Sequence, residues 1–291
     1  MDIAFHIGSH CTDEDRLIRS LLRDRGPLGE RGIAVPAPGR YRPILRDTLV
    51  ALKGAPASGE TQEVLLDAIV GGEPPKRLIL SHDHFLGIPA RAVTPRGFHA
   101  GAGRRIEALA NLFPDAQCEF HLALRNPATL LPALIAQIPG ATYASVLGDR
   151  DPLSLRWAPV VQAIAASVPD SRLIVTCSED APVLWPEILR RVAGVDEGMP
   201  LAGEHDMMAA VLTPAGFKRM QDYLAANPPS SADQRRRIAA VFLDKFARTE
   251  AVEVDLPFPG WTENLVTRIS EAYEADLSEI AEIPGVEVLW V

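Results

Sequence analysis

Asp2-Ile3-Ala4-Phe5-His6-Ile7-Gly8-Ser9-His10-Cys11-Thr12-Asp13-Glu14-Asp15-Arg16-Leu17-Ile18 is the stretch that decides the fold. Residues 2–8 read as a short buried strand, residues 9–12 as a turn, and residues 13–18 as the opening of a helix. A strand, a glycine turn and a helix start together aim free backbone N–H groups and the positive helix end at one spot. Nucleotide-phosphate sites are built on that arrangement. Here the spot carries Asp13, Glu14 and Asp15 instead of Lys, Gly and hydroxyls. The backbone pattern points to a phosphate and the side chains point away from it.

Outward from this stretch the pattern repeats. Apolar runs at 76–81, 117–124 and 171–177 read as further strands, 32–36 as a brief extended piece, and 286–291 as a short edge strand. Helical periodicity covers 14–25, 41–53, 60–70, 104–113, 129–137, 157–168, 186–193 and 262–280, and nearly all of 204–248, with Ser230 or Ser231 capping its second half. Gly26-Pro27 reads as the stop of the first helix, and residues 86–101 as one long loop. Strands alternating with helices specify an α/β fold of three layers: a mostly parallel sheet covered on both faces, with a helical C-terminal third. The chain is expected to form one domain over residues 1–291. Ligands of such sheets sit beyond the carboxyl ends of the strands, so the polar loops at His10, His82, Arg125 and Glu179 are expected to gather on one rim.

The net charge of −9 argues against a nucleic-acid surface, which needs an excess of Lys and Arg. The N-terminus lacks a basic segment followed by an apolar run, and no stretch approaches the roughly 18 apolar residues of a membrane span. A cytoplasmic location without membrane contact is the expectation. Cys11, Cys118 and Cys177 are far apart and odd in number, which gives neither a disulfide framework nor a paired zinc ligand set. The partner expected is a small molecule, and the helical region 204–248 offers apolar surface for self-association into a homo-oligomer.

Taken in order, several stretches resemble the sulfotransferases that use phosphoadenosine phosphosulfate (PAPS), in particular their bacterial branch. That family opens with a strand reading roughly H-I-G-x-H-K-[TS]-G-[TS]-[TS], beside His6-Ile7-Gly8-Ser9-His10-Cys11-Thr12-Asp13-Glu14-Asp15 here. Gly32-Ile33-Ala34-Val35-Pro36 with Tyr41-Arg42 is similar to its "RGI..P…YR" stretch, Leu80-Ser81-His82-Asp83-His84-Phe85 to its "lSsExF" segment, and Leu124-Arg125-Asn126-Pro127 to its "lRNP". The likeness extends to Trp157, Glu179-Asp180, Tyr273 and Asp276. The resemblance implies a P-loop NTPase/sulfotransferase-like fold and a sulfuryl transfer from PAPS to a hydroxyl or amine. It implies nucleotide binding by Gly8, Ser9, His10, Thr12 and Arg125, the Arg on the 3′-phosphate, and a catalytic base among His82, Asp83 and His84. The chain departs from the family where Cys11 replaces Lys, Asp13 replaces Gly, Glu14 and Asp15 replace the two hydroxyls, and Ala133 stands where a Ser helps hold the 3′-phosphate. Each carboxylate a few ångströms from a phosphate costs on the order of 1–4 kcal/mol at surface dielectrics. A non-catalytic protein of the same fold, with a binding or regulatory role, is therefore the alternative.

The side chains themselves allow competing readings. Thr12 is a good N-cap, with Asp15 three residues on as a capping-box variant, and acids in a first turn suit the helix dipole. The same loop offers His10, Cys11 and Asp13 as donors for a divalent metal, joined by His6 and by His82, Asp83 and His84 from the neighbouring loop. His6, inside the strand, reads equally as a hydrogen-bonded core histidine. Arg125 suits a phosphate bidentately or an ion pair with Glu179, and Glu179-Asp180 reads as an ordinary cap before Pro182. Cys11 is expected to be an unreactive thiol among acids, and Arg235-Arg236-Arg237 a solvated basic face. Gly101-Ala102-Gly103 lacks the preceding strand that a dinucleotide site requires.

Overall fold

A computed structural model describes residues 1–252 and 261–291 of the chain. In chain order the strands are β1 (Asp2–His6), β2 (Ile33–Ala34), β3 (Arg77–Ser81), β4 (Val93–Thr94), β5 (Gly97–Phe98), β6 (Gln117–Leu124), β7 (Arg172–Cys177) and β8 (Val286–Val288). The helices up to β7 are α1 (Arg16–Leu22), α2 (Arg25–Glu30), α3 (Pro38–Leu52), α4 (Gly59–Val70), α5 (Ala102–Ala110), α6 (Pro127–Gln137), α7 (Tyr143–Leu147) and α8 (Ala158–Ser167). Beyond it come α9 (Ala181–Ala193), α10 (Asp206–Val211), α11 (Pro214–Ala226), α12 (Ala232–Phe246), α13 (Thr249–Val252) and α14 (Glu263–Ala281).

Six strands form one wholly parallel sheet in the order β2-β3-β1-β6-β7-β8, and β4 pairs with β5 as a separate antiparallel hairpin. The strands read as continuous apolar runs because both faces of the sheet are covered. Ile3 and Phe5 of β1, and Ile7 just after it, enter a core built with α3, α4, α5, α6, α8 and α14, while Ala4 faces α1, α2 and α9. The step from β1 out to β2 carries its helices on the α9 face. The steps running the other way, β2 to β3, β3 to β6 and β6 to β7, carry theirs on the opposite face, the pattern that right-handed crossovers require. Phe5 stacks on Phe120 at 5.4 Å between centroids and meets the edge of Phe85 at 5.9 Å, fastening the middle of the sheet to the loop after β3.

A polar seam crosses the α9 face of this sheet. Glu119 lies 2.5 Å from Arg77, 3.1 Å from Arg172 and 2.7 Å from Nε2 of His121. Burial alone would raise the Glu119 carboxyl, but His121 and Arg77 outweigh it and hold the group at about 2. His6 meets Ser81 Oγ through Nδ1 at 2.9 Å, so it is a hydrogen-bonded core histidine.

Most expected elements form, and the differences have local causes. The first helix stops at Leu22, and Gly26-Pro27 lies in the first turn of α2, where proline costs no hydrogen bond. α9 starts at Ala181 with Pro182 in its first turn, and Pro186, expected to open that helix, sits inside it. The stretch 86–101 contains the β4–β5 hairpin. Ser231 caps α12 and Thr262 caps α14, each through its side chain. Arg236 is 3.4 Å from Glu187 of α9, so the basic run is partly a packing face and not only a solvated one. Among the described residues, no helix is long and apolar enough to cross a membrane.

α5 and α8 cross closely at Gly103, where an added Cβ would come within 2.5 Å of the Ala163 carbonyl oxygen. Helix propensity favours Ala over Gly by about 1 kcal/mol, but a clash with backbone costs about 1–3 kcal/mol. Gly103→Ala is expected to lower stability on balance, read as a lower urea midpoint, whereas Gly39→Ala, with open space around it, is expected to leave it unchanged or raise it.

Candidate functional site on the strand-end rim

β1 and β6 are neighbours whose outgoing connections diverge, one toward β2 and the other toward β7, so a crevice is expected between their carboxyl ends. The register sets His6 beside Ser81 and His121, and Leu124 beside Cys177, so the loops after β1, β3, β6 and β7 emerge together. The expected gathering of the loops at His10, His82, Arg125 and Glu179 is what the sheet produces.

Gly8, at φ +85°, begins the β1 turn; a Cβ there would sit 3.1 Å from Cα of Asp83, so only glycine lets the loop after β3 lie this close. Ser9 N donates to the Ala123 carbonyl at 2.7 Å, tying the turn to β6. Cys11, Glu14 and Asp15 all have positive φ, and this left-handed path delays the helix until Arg16. The expected capping box is therefore not formed. Thr12 Oγ1 donates to the Ser9 carbonyl at 2.8 Å, Asp15 makes no side-chain cap, and it is Asp13 that accepts from Leu17 N at 2.8 Å. Among the described residues, no acceptor takes a hydrogen bond from the amides of residues 10–15.

The three acids of the turn have separate fates. Asp13 is buried beneath α1 as its cap. Asp15 receives both terminal nitrogens of Arg42, at 2.9 and 2.5 Å, and that bidentate pair holds its carboxyl below the usual range. Glu14 alone is exposed. The Cys11 thiol is pushed up to about 11, chiefly by burial, and so is neutral and unreactive. His10 is wholly buried: Nε2 lies 2.7 Å from the Gly87 carbonyl, and Nδ1 has no partner among the described residues. A carbonyl only accepts, so Nε2 carries the proton and Nδ1 holds a free lone pair. Ser9 is buried too, and its Oγ likewise finds no partner among the described residues.

Arg125, at the end of β6, donates from one terminal nitrogen to the Cys11 carbonyl at 2.5 Å and from Nε to Thr129 Oγ1 at 3.0 Å. Its own carbonyl accepts from Trp157 Nε1 at 2.9 Å. The expected ion pair with Glu179 is absent among the described residues. Glu179 instead accepts from Asn126 N at 2.8 Å and Tyr273 Oη at 3.3 Å. Arg125 is thus a half-buried cation, locked beside the β1 turn, with no carboxylate partner among the described residues.

His82, Asp83 and His84 follow β3 and cluster on the same rim. His82 Nδ1 is 3.2 Å and His84 Nε2 3.9 Å from Asp83 Oδ1, and one donor atom from each residue lies within 4.8 Å of the others. Burial alone would raise the Asp83 carboxyl, but His82 beside it and the other imidazoles draw it down to about 2. Burial draws the His84 imidazole below its ordinary value, so at neutral pH it is a free base. The metal donors expected at His10, Cys11 and Asp13 do not gather into such a group among the described residues, since His10 points to Gly87 and Asp13 caps α1.

The residue that sequence reasoning missed is His99. It is buried between His10, with centroids 5.5 Å apart and rings nearly parallel, and Trp157 at 5.2 Å, and neither ring nitrogen has a partner among the described residues. No periodicity or motif marks a histidine just after a two-residue strand, and only the hairpin brings it under the rim. Asp276, buried in α14, was also unforeseen in its role: it accepts from the amides of Trp157 and Ala158, fixing the start of α8.

No family model, curated protein or solved structure matches this chain.

Burial pushes the His99 imidazole down to about 3, so the folded protein refuses a proton that the unfolded chain accepts near 6.5. Stability from this group is complete above about pH 6.5 and is lost as pH falls from there toward 3. At pH 5 the loss is on the order of 2 kcal/mol. The melting temperature is expected to drop between pH 8 and pH 5, and His99→Phe is expected to narrow that drop, measured by thermal unfolding at both values.

Proposed function

We propose that the rim binds a small anionic ligand of the nucleotide bisphosphate class and acts as a sulfotransferase-like site, with PAPS as donor and a hydroxyl or amine as acceptor. The observation that carries this reading is Arg125: a guanidinium fixed by Cys11 O and Thr129 Oγ1, with no carboxylate partner among the described residues. Six consecutive turn amides without protein acceptors among the described residues lie in the same turn as that carbonyl, which is the complement a phosphate needs. Two of the three acids that would repel it are already engaged, Asp13 by the Leu17 amide and Asp15 by Arg42.

The base for an acceptor proton is an imidazole and not the carboxylate. Asp83, held at about 2, has little affinity for a proton, whereas His84 is neutral and accessible. In the proposed transfer the S–O bond to the nucleotide phosphate breaks, a bond from sulfur to the acceptor oxygen or nitrogen forms, and the acceptor proton passes to His84 or His82. His82 Nδ1 lies 3.2 Å from Asp83 Oδ1 and makes no hydrogen bond among the described residues, so Asp83 is placed to pair with His82 once that ring takes a proton. A non-catalytic binding role is the second reading, and Cys11 favours it: a neutral thiol stands at the turn where the resembled family has the lysine that holds the transferred group.

Calorimetric titration with adenosine 3′,5′-bisphosphate tests both. Micromolar affinity is expected, falling ten- to hundredfold in Arg125→Gln, the loss of about 1.5–3 kcal/mol that a charge-assisted hydrogen bond supplies. Binding without release of the bisphosphate from PAPS in the presence of phenolic and amine acceptors would leave the binding role. No heat at protein concentrations that reveal millimolar ligands would end the nucleotide reading.

A further inference from the structure

We infer that His82, Asp83 and His84 form a binding site for a first-row divalent metal ion of the zinc type. The inference does not rest on the nucleotide reading; with an ion bound, His82 and His84 are ligands and no longer serve as the base proposed above. Two imidazoles and one carboxylate are a donor set that such ions take, with further positions left to water or substrate. The spacing fits. With bonds of about 2.0–2.1 Å, two ligand atoms of a tetrahedral zinc lie about 3.3 Å apart. Here the two edges to Asp83 Oδ1 are 3.2 and 3.9 Å, and all three donor atoms lie within 4.8 Å of one another. The remaining adjustment falls on His84, whose side chain is 41% exposed and free to turn.

The surroundings favour a cation and keep the donors in place. Asp83 backs onto Gly8, which fixes the height of this loop over the β1 turn. Phe85 is buried against Phe5 and meets the His82 ring edge-on at 5.6 Å, so His82 stands on a rigid apolar base. The nearby Arg42 charge is already matched by Asp15, leaving the Asp83 carboxylate as the local excess. The rings of His82 and His84 stack with centroids 4.7 Å apart, which keeps the two imidazoles side by side next to Asp83. Ions that take only oxygen ligands, such as magnesium, are poorly served by two nitrogens.

The test is zinc titration of the full chain, first stripped with a chelator, in competition with a chromogenic zinc indicator and with no nucleotide present. One equivalent of tight binding is expected in the wild type. His84→Gln and Asp83→Asn, which preserve size and polarity, are each expected to weaken it at least ten- to hundredfold, the scale set by disturbing even a supporting group of a metal site. Cys11→Ser and His205→Ala, the latter at the residue that precedes α10, alter other donors and are expected to leave it unchanged, and cobalt(II) is expected to show a visible absorption band that His84→Gln removes. Absence of a tight equivalent in the wild type, retention in either loop variant, or loss in Cys11→Ser or His205→Ala would overturn the site. Arg125→Gln separates the two proposals, since it is expected to weaken bisphosphate binding ten- to hundredfold while leaving zinc affinity intact.

Discussion

One guanidinium holds the rim together. Arg42, on α3, grips both oxygens of Asp15 at the start of α1 and also reaches the Ser81 carbonyl at the end of β3, from Nε at 3.1 Å and from a terminal nitrogen at 2.8 Å. Tyr41 beside it completes the clasp, donating to the Ser81 carbonyl at 2.6 Å and accepting from the Ser81 amide at 3.0 Å. The two loops that carry the candidate chemistry are thus fixed to one helix. Their relative position follows from Arg42, Tyr41, the missing side chain of Gly8 and the hydrogen bond from His10 Nε2 to the Gly87 carbonyl.

This clasp also explains how an acidic turn can occupy a place suited to anions. Counted as residues, Asp13, Glu14 and Asp15 forbid a phosphate. Counted as charges in their places they do not: Asp13 is an internal cap, Asp15 is half of an ion pair, and only Glu14 faces water. Solvent screens an exposed charge of that kind over about 10 Å at ordinary ionic strength. Arg125, by contrast, is half-buried and has no carboxylate to match it among the described residues. Arg125 is therefore a cation fixed beside Cys11 in a chain of net negative charge, with Asp83 and Glu14 as the opposing charges nearby.

The fold was legible because burial on both faces turns the strands into apolar runs. β6 forms over residues 117–124 as read, and β3 and β7 each begin one residue later than read. The helix start after β1 was not legible, because Glu14 and Asp15 adopt positive φ without the glycine or asparagine that would announce it. Of the candidate residues, Arg125 was found from its strand end, but its freedom from Glu179 depends on Tyr273, from distant chain, and on the amide of the neighbouring Asn126. The grouping of metal donors had the same difficulty. His10, Cys11 and Asp13 are neighbours in sequence around a tight turn, and a tight turn sends successive side chains in different directions. His82, Asp83 and His84 are equally close in sequence, yet the short 3-10 turn from Asp83 to Leu86 returns their donor atoms to one place.

The buried ring stack beneath the rim is the last element to account for. His10, His99 and Trp157 lie in a column, and Phe98 meets both His99 and Trp157 edge-on, at 4.6 and 4.5 Å. Leucine or phenylalanine would fill this space without leaving lone pairs unsatisfied, and each unpaired polar atom in such a place costs about 1–3 kcal/mol. Burial keeps both imidazoles neutral, so the cost is that of unmet hydrogen bonds and not of charge. Part of it is offset at His10, whose Nε2 proton holds the Gly87 carbonyl and so closes the turn that carries His82, Asp83 and His84. Trp157 offsets more, since its indole N–H holds the Arg125 carbonyl while its ring covers His99. The column therefore links the loop after β3 to the end of β6 through the core: what it forfeits in polar satisfaction it returns as a fixed distance between the cluster at Asp83 and the guanidinium at Arg125.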